Sequence, residues 1–237
     1  MRTASAPIPV GLNKRQVAQL LKRLSPARSV GARIEQASEF FLGRAYAENP
    51  LGGGPNLREV FRASLSKFDC VTYMESVLAL AGSRKAEEFG RRLREIRYKN
   101  GKMDWFERNH YMSAWLVNNR RRGALADLTR GRDTIALTRT LGVVDGLAPR
   151  RVTFRCFPKR SFQRIKHLVR TGDLIMFVST RKRLDVFHTG ILIQRDDRVL
   201  LRHARRSAGK VIEQDVADFL KRHRMSGFVL ARPLCRP

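Results

Sequence analysis

Apolar residues recur along the first half of the chain with a period near 3.6. From Asn13 to Leu24, Val17, Leu20, Leu21 and Leu24 follow the i, i+3, i+4, i+7 spacing of one helical face. Asn13 stands where an N-cap belongs, and Pro26 lies beyond the end. The spacing predicts a second helix from Ala32 to Tyr46 through Ile34, Ala37, Phe41 and Ala45. Asn49-Pro50 and Gly52-Gly53-Gly54-Pro55 then break the pattern into a loop. Asp69 to Ala81 repeats helical spacing through Val71, Met74, Val77, Leu78 and Ala81, with Gly82 suited to close it. Two further helices are expected, over 85–98 through Phe89, Leu93 and Ile96, ending near Asn100-Gly101, and over Arg108 to Asn119 with Met112, Trp115 and Leu116.

After about residue 150 the period shortens to 2. Strands are predicted over Val152 to Phe157, Asp173 to Ser179, Asp185 to Gln194, Arg198 to His203 and Gly227 to Ala231. Val216, Phe219 and Leu220 mark one more helix between the last two. This order implies an α+β architecture, its helical N-terminal half packed on one side of a mainly antiparallel sheet. Residues 1–30 read as an extension with one helix, and 31–237 as a single domain.

Composition narrows the class. With 237 residues, 43% of them hydrophobic and 13 of them Phe, the chain can bury a core, which argues against global disorder. No apolar run approaches the roughly 18 residues that span a bilayer, and residues 1–24 lack the apolar stretch of a secretory signal. Lys and Arg number 48 against 21 Asp and Glu, so the net charge is 48 − 21 = +27, which attracts polyanions such as nucleic acid, anionic wall polymer or acidic lipid. The basic residues are spread along the chain, and no RNP-like, zinc-finger or helix-turn-helix pattern organises them. The glycine loop at 52–54 is followed by no GK[ST], so it does not read as a phosphate cradle.

Three widely spaced cysteines make a disulfide framework improbable. Cys156 sits in an alternating strand and Cys235 in the terminal Leu-Cys-Arg-Pro, whereas Cys70 falls at the start of a helix. There, unpaired N–H groups and the helix dipole favour a thiolate and lower its pKa. A buried, inert thiol is the competing reading. A nucleophilic cysteine needs a base and a group to orient that base. His188 replaces an apolar residue in a core-like strand, and His203 ends the next apolar run. A hairpin centred between Arg195 and Asp196 sets them opposite each other, since 188 + 203 = 391, and a shift of two residues keeps them on one face. His167 and His223 stand in basic surroundings and read as solvated. A zinc site of Cys70, His188 and His203 is the weaker alternative, because catalytic zinc usually draws on short-spaced His or carboxylate ligands. No metal or other cofactor is expected.

At these residues the sequence resembles the N-acetylmuramoyl-L-alanine amidase-like family, formerly a domain of unknown function and related to the NlpC/P60 cell-wall cysteine peptidases. The resemblance runs from about Arg33 to Pro233. It rests on six segments in order: 41–46, Phe-Asp-Cys-Val-Thr-Tyr-Met-Glu-Ser at 68–76, 96–101, Arg-Asn-His-Tyr-Met-Ser-Ala-Trp at 108–115, Gly-Asp-Leu-Ile at 172–175, and Leu-Asp-Val-Phe-His-Thr-Gly-Ile at 184–191. It implies a papain-like fold with Cys70 as nucleophile, His188 as general base and His203 orienting His188. It also implies Tyr46 beside the nucleophile, Asp69 binding the peptide portion of the substrate, and Arg108, His110, Tyr111 and Trp115 lining the cleft. Taken alone, Tyr46 reads as packing, Asp69 as an N-cap, and the Trp and Tyr helix as core. After His203 the chain carries Ala204-Arg205-Arg206-Ser207 where the family suggests Ala-Ser, a departure that bears on substrate contacts at that edge.

The implied substrate is peptidoglycan or muropeptide. It would be cut at the lactyl amide to L-Ala or, as in an endopeptidase, within the stem peptide, and the family implies action outside the cytoplasm. A reading from another class is a catalytically inactive basic protein that binds anionic wall polymer or nucleic acid.

Overall fold

A computed structural model describes residues 11–24, 27 and 29–234. The expectations attached to Pro26, to Cys235 and to residues 1–10 lie outside the described residues. Seven α-helices are present among them: α1 (Lys14–Leu24), α2 (Val30–Glu39), α3 (Cys70–Gly82), α4 (Ala86–Arg97), α5 (Met112–Arg121), α6 (Phe162–Ile165) and α7 (Val216–Arg222). The strands are β1 (Ala45–Tyr46), β2 (Lys67–Phe68), β3 (Leu125–Asp127), β4 (Ile135–Leu141), β5 (Arg150–Cys156), β6 (Leu174–Val178), β7 (Val186–Arg195), β8 (Arg198–Arg205), β9 (Lys210–Asp215) and β10 (Gly227–Pro233).

Eight strands form one sheet in the order β2-β1-β9-β8-β7-β6-β10-β3, while β4 and β5 form a separate hairpin. Every pairing is antiparallel except β1 with β2. The mixed α+β class and the mainly antiparallel sheet therefore stand, but the helices cover both faces. Met176, Val178, Ile191, Ile193 and Ala204 pack with α1 to α5 on one face. Ile175, Phe177, Leu192, Val199 and Leu201 pack with α6 and α7 on the other. Alternation along β6, β7 and β8 supplies both sets, since each strand is buried on both sides. Val17, Leu21 and Leu24 of α1 belong to the first of these cores.

Local chemistry sets the helix ends. Asn13 Oδ1 accepts from the N–H of Arg15, capping α1 as the sequence predicts. Asp69 and Thr72 form a reciprocal capping box at the start of α3. At its other end Gly82 is still helical and Ser83 closes the turn, its hydroxyl donating to the carbonyl of Ala79.

Two predicted helices change extent. The one expected over 32–46 stops at Glu39, because Gly43 takes a left-handed φ of 79° and the chain joins the sheet edge. Tyr46 therefore lies on β1, bonded through its N–H to the carbonyl of Gly209. The helix expected from Arg108 starts at Met112, because residues 105–107 form a short 3-10 turn and Arg108 is extended. The hairpin between β7 and β8 turns at Asp196-Asp197, with Ile191 opposite Arg202 and hence i + j = 393, two more than expected. Asp196 takes φ 45°, as a two-residue hairpin turn demands.

Candidate active site

Cys70 is the first residue of α3, placed there by the Asp69–Thr72 box. Asp69 Oδ1 accepts from the Thr72 N–H at 2.7 Å and from its hydroxyl at 2.7 Å. The helix crosses β7 at Thr189, whose hydroxyl contacts Met74 Sδ at 3.3 Å and donates to the carbonyl of Ile175 at 2.8 Å. One turn earlier, the backbone N–H groups of Thr189, Cys70 and Val71 face the Cys70 sulfur and favour its thiolate. Thr189 follows His188 directly. The thiol and the histidine strand, 118 residues apart in sequence, thus meet.

The thiol is nonetheless pushed up to about 12, first by burial and then by the Asp69 carboxylate. The expectation that a helix start lowers this pKa is corrected. Its N–H groups do act in that direction, but desolvation and a neighbouring negative charge outweigh them. Cys70 is consequently a thiol near neutral pH, and its activation falls to a base.

His188 Nε2 lies 2.5 Å from His203 Nδ1. The two rings are nearly perpendicular, with centroids 4.8 Å apart. Both face the α7 side of the sheet, where His188 stacks on Phe219 at 5.4 Å and 22° and His203 meets the same ring edge-on at 5.5 Å. Burial holds the pKa of His188 down to about 3, helped by the charges of His223 and Arg205. His203 is held to about 2 by burial, then by His188, Arg205 and His223. Both imidazoles are neutral at pH 7, so one shared proton makes their hydrogen bond. If Nε2 of His188 donates, its Nδ1 is left as the basic nitrogen and His203 carries its own proton on Nε2. That Nε2 is buried without a hydrogen-bond partner.

Tyr46 lies within electrostatic reach of Cys70 and Asp69. Partial burial, then the charges of Cys70 and Asp69, raise its phenol pKa. Arg108 is turned inward: its guanidinium pairs with Glu59 at 2.6 Å and stacks over Trp105 at 4.6 Å. His110 Nε2 bonds the carbonyl of Trp105 at 2.8 Å, and burial lowers its pKa. Tyr111 accepts at its hydroxyl from the N–H groups of Val143 and Val144. Trp115 is fully buried and lines no cleft, its indole N–H donating to Glu75 Oε1 at 3.2 Å. A cavity of about 820 Å³ is lined by Arg108, His110 and Tyr111 but not by Cys70, His188 or His203. Among the described residues, no group of three His, Cys, Asp or Glu is placed to hold a metal ion.

Several residues at or behind the site escaped the sequence reading. His223, expected to be solvated, stacks on Phe219 at 4.1 Å, so Phe219 is held between two imidazoles. Its i, i+4 spacing from Phe219 on α7 was the available signal. Glu75 and Arg97 form a buried ion pair at 2.7 Å that ties α3 to α4. His167 is exposed, as expected, and Cys156 is a buried core thiol.

The model of the N-acetylmuramoyl-L-alanine amidase-like family matches residues 36–228. The chain belongs to that family. On that footing it is an amidase-like protein. A crystal structure of a Legionella pneumophila protein is 23% identical, covers 94% of each chain and has a TM-score of 0.81. An N-acetylmuramoyl-L-alanine amidase from Bacteroides uniformis is also 23% identical, spanning 86% of this chain and 98% of its own with a TM-score of 0.74. At that identity these neighbours share the fold. Among curated proteins none matches the amidase-like chain. No helix among its described residues is long and apolar enough to cross a membrane.

Proposed function

We propose that the protein is a cysteine amidase of papain-like, NlpC/P60 type that cleaves the N-acetylmuramoyl-L-alanine amide, with residues 31–237 as the catalytic domain. The observation that carries this reading is that the N–H of Thr189, the residue after His188, faces the Cys70 sulfur; the His188 and His203 rings bond to each other on the α7 face of the sheet, opposite α3. His188 takes the thiol proton as general base, and the sulfur attacks the amide carbonyl carbon. The resulting oxyanion is stabilised by N–H groups at the start of α3 together with the Tyr46 hydroxyl, on the order of 3 kcal/mol per donor. Imidazolium His188 protonates the leaving nitrogen, the amine departs, and a thioester remains. Water then attacks the thioester with His188 again as base, restoring the thiol. His203 holds the ring, and Asp69 is assigned to the substrate's peptide portion.

Family membership supports peptidoglycan fragments as substrate, and hence action outside the cytoplasm. It also favours the amide to L-Ala over a bond within the stem peptide. Mass analysis of muropeptides incubated with the protein tests reaction and substrate together. Release of intact stem peptide is expected, and Cys70→Ala is expected to abolish it. Fragments of the stem indicate the endopeptidase cut, and release by the Cys70→Ala protein would falsify the cysteine mechanism.

A further inference from the structure

The cavity of about 820 Å³ lies between α5 and the β4–β5 hairpin, over the sheet. Its floor is Met176, Val186 and Val229, and Leu116, Leu141 and Phe154 line its walls. The charges lining it do not balance. Arg120 stands 3.8 Å from Asp127 and Lys99 stands 3.9 Å from Glu107, so those cations have partners. Arg121 and Arg150 also line the cavity and are exposed, yet neither forms an ion pair among the described residues. Arg150 is the cross-strand partner of buried Leu141, so the two share the hairpin's inner face. An apolar chamber with unneutralised guanidinium groups suits a ligand that carries both alkyl side chains and carboxylates.

The chamber lies on the α3 side of the sheet, near the residue that meets the Cys70 sulfur, although Cys70, His188 and His203 do not line it. Val186 is two residues from His188 on β7, and Met176 is the cross-strand partner of Thr189, whose N–H faces the Cys70 sulfur. We propose that this cavity receives the carboxylate-bearing peptide arm of the substrate, with Arg121 and Arg150 binding its carboxylates and Leu116, Leu141 and Phe154 covering its alkyl groups. The identity of the arm rests on the amidase reading. The site itself rests on the cavity and its charges.

Calorimetric titration of the Cys70→Ala protein tests this without turnover. The ligands are a stem tetrapeptide with free carboxylates and the same peptide with every carboxylate amidated. The free acid is expected to bind at least about tenfold more tightly, a preference that weakens with salt. In protein that also carries Arg121→Gln and Arg150→Gln the preference is expected to vanish. Both substitutions are at exposed positions, and an unchanged melting temperature confirms the fold. Equal affinity for the two peptides, no binding of either, or a preference that survives the double substitution overturns the proposal. Because the unaltered cavity is compared with two ligands, the result does not depend on the variant folding. Wild-type protein that leaves muropeptides uncut, while the Cys70→Ala protein still prefers the free acid, removes the amidase reading and keeps the arginine site.

Discussion

His188 and His203 bond to each other without standing opposite each other in the hairpin. Continuing the ladder from Ile191 and Arg202 sets His203 across from Gly190, so the imidazole bond runs diagonally. Gly190 makes room for it. A Cβ there would lie 2.6 Å from Leu201 Cδ1, 2.8 Å from the Arg202 carbonyl oxygen and 3.1 Å from His203 Cβ. Gly190→Ala is expected to cost about 1–3 kcal/mol of stability, the usual penalty of overpacking. It should also lower kcat more than it raises KM. Urea unfolding and steady-state turnover check this, and an alanine variant with both values unchanged shows that the histidine pair does not need the gap.

The Asp69 carboxylate acts on Cys70 in two ways, capping its helix and raising its thiol pKa. Asparagine keeps the cap and removes the charge. Alkylation of Cys70 by iodoacetamide at pH 8 should therefore run about three- to tenfold faster in Asp69→Asn, the change that a lower thiol pKa produces. A rate equal to that of the parent sinks the electrostatic role.

Glu75 and Arg97 are both buried, and Trp115 and the Arg62 carbonyl complete their hydrogen bonds. Removing one partner leaves a buried charge uncompensated. Arg97→Ala is expected to destabilise by about 3–5 kcal/mol. Thermal melting measures it, and a loss below 1 kcal/mol shows that the pair is not a structural strut.

Stability should fall on acidification before the carboxylates titrate. Unfolding returns His188 and His203 from about 3 and about 2 toward their ordinary value of 6.5. Between roughly pH 6.5 and 3 the unfolded chain therefore binds protons that the folded chain refuses, and the fold is weakened by up to about 1.4 kcal/mol per pH unit for each ring. Cys70 acts at the alkaline end. Folded, it ionises near 12 rather than 9, so stability also declines once the unfolded thiol begins to ionise above about pH 9. Melting temperatures from pH 4 to 10 test both limbs, and a value that holds flat from pH 6.5 to 4.5 contradicts the buried, neutral pair.

Much of this molecule could be read along the chain. The faces of α1, α3 and α4, the central strands and the antiparallel sense of the sheet follow from periodicity, because a long element repeats its burial several times. The two-residue strands at Ala45 and Lys67 could not be found this way, since a pair of residues has no period. The placement of Tyr46 depended on them. The second helical layer was hidden for another reason. Strands buried on both sides carry near-continuous apolar runs, and such runs do not say which helices cover which face.

By itself the sequence determined that Cys70 starts a helix and that two histidines share one face of a hairpin, because local hydrogen bonding and a period of two are properties of neighbouring residues. Only the tertiary structure decided that Thr189 meets the sulfur, that Gly190 lets the imidazoles bond, that Trp115 is core, and that the thiol is protonated rather than ionised. Each of these depends on what other segments bring close and on how much water they remove, and burial and charge at a given atom are sums over the whole fold.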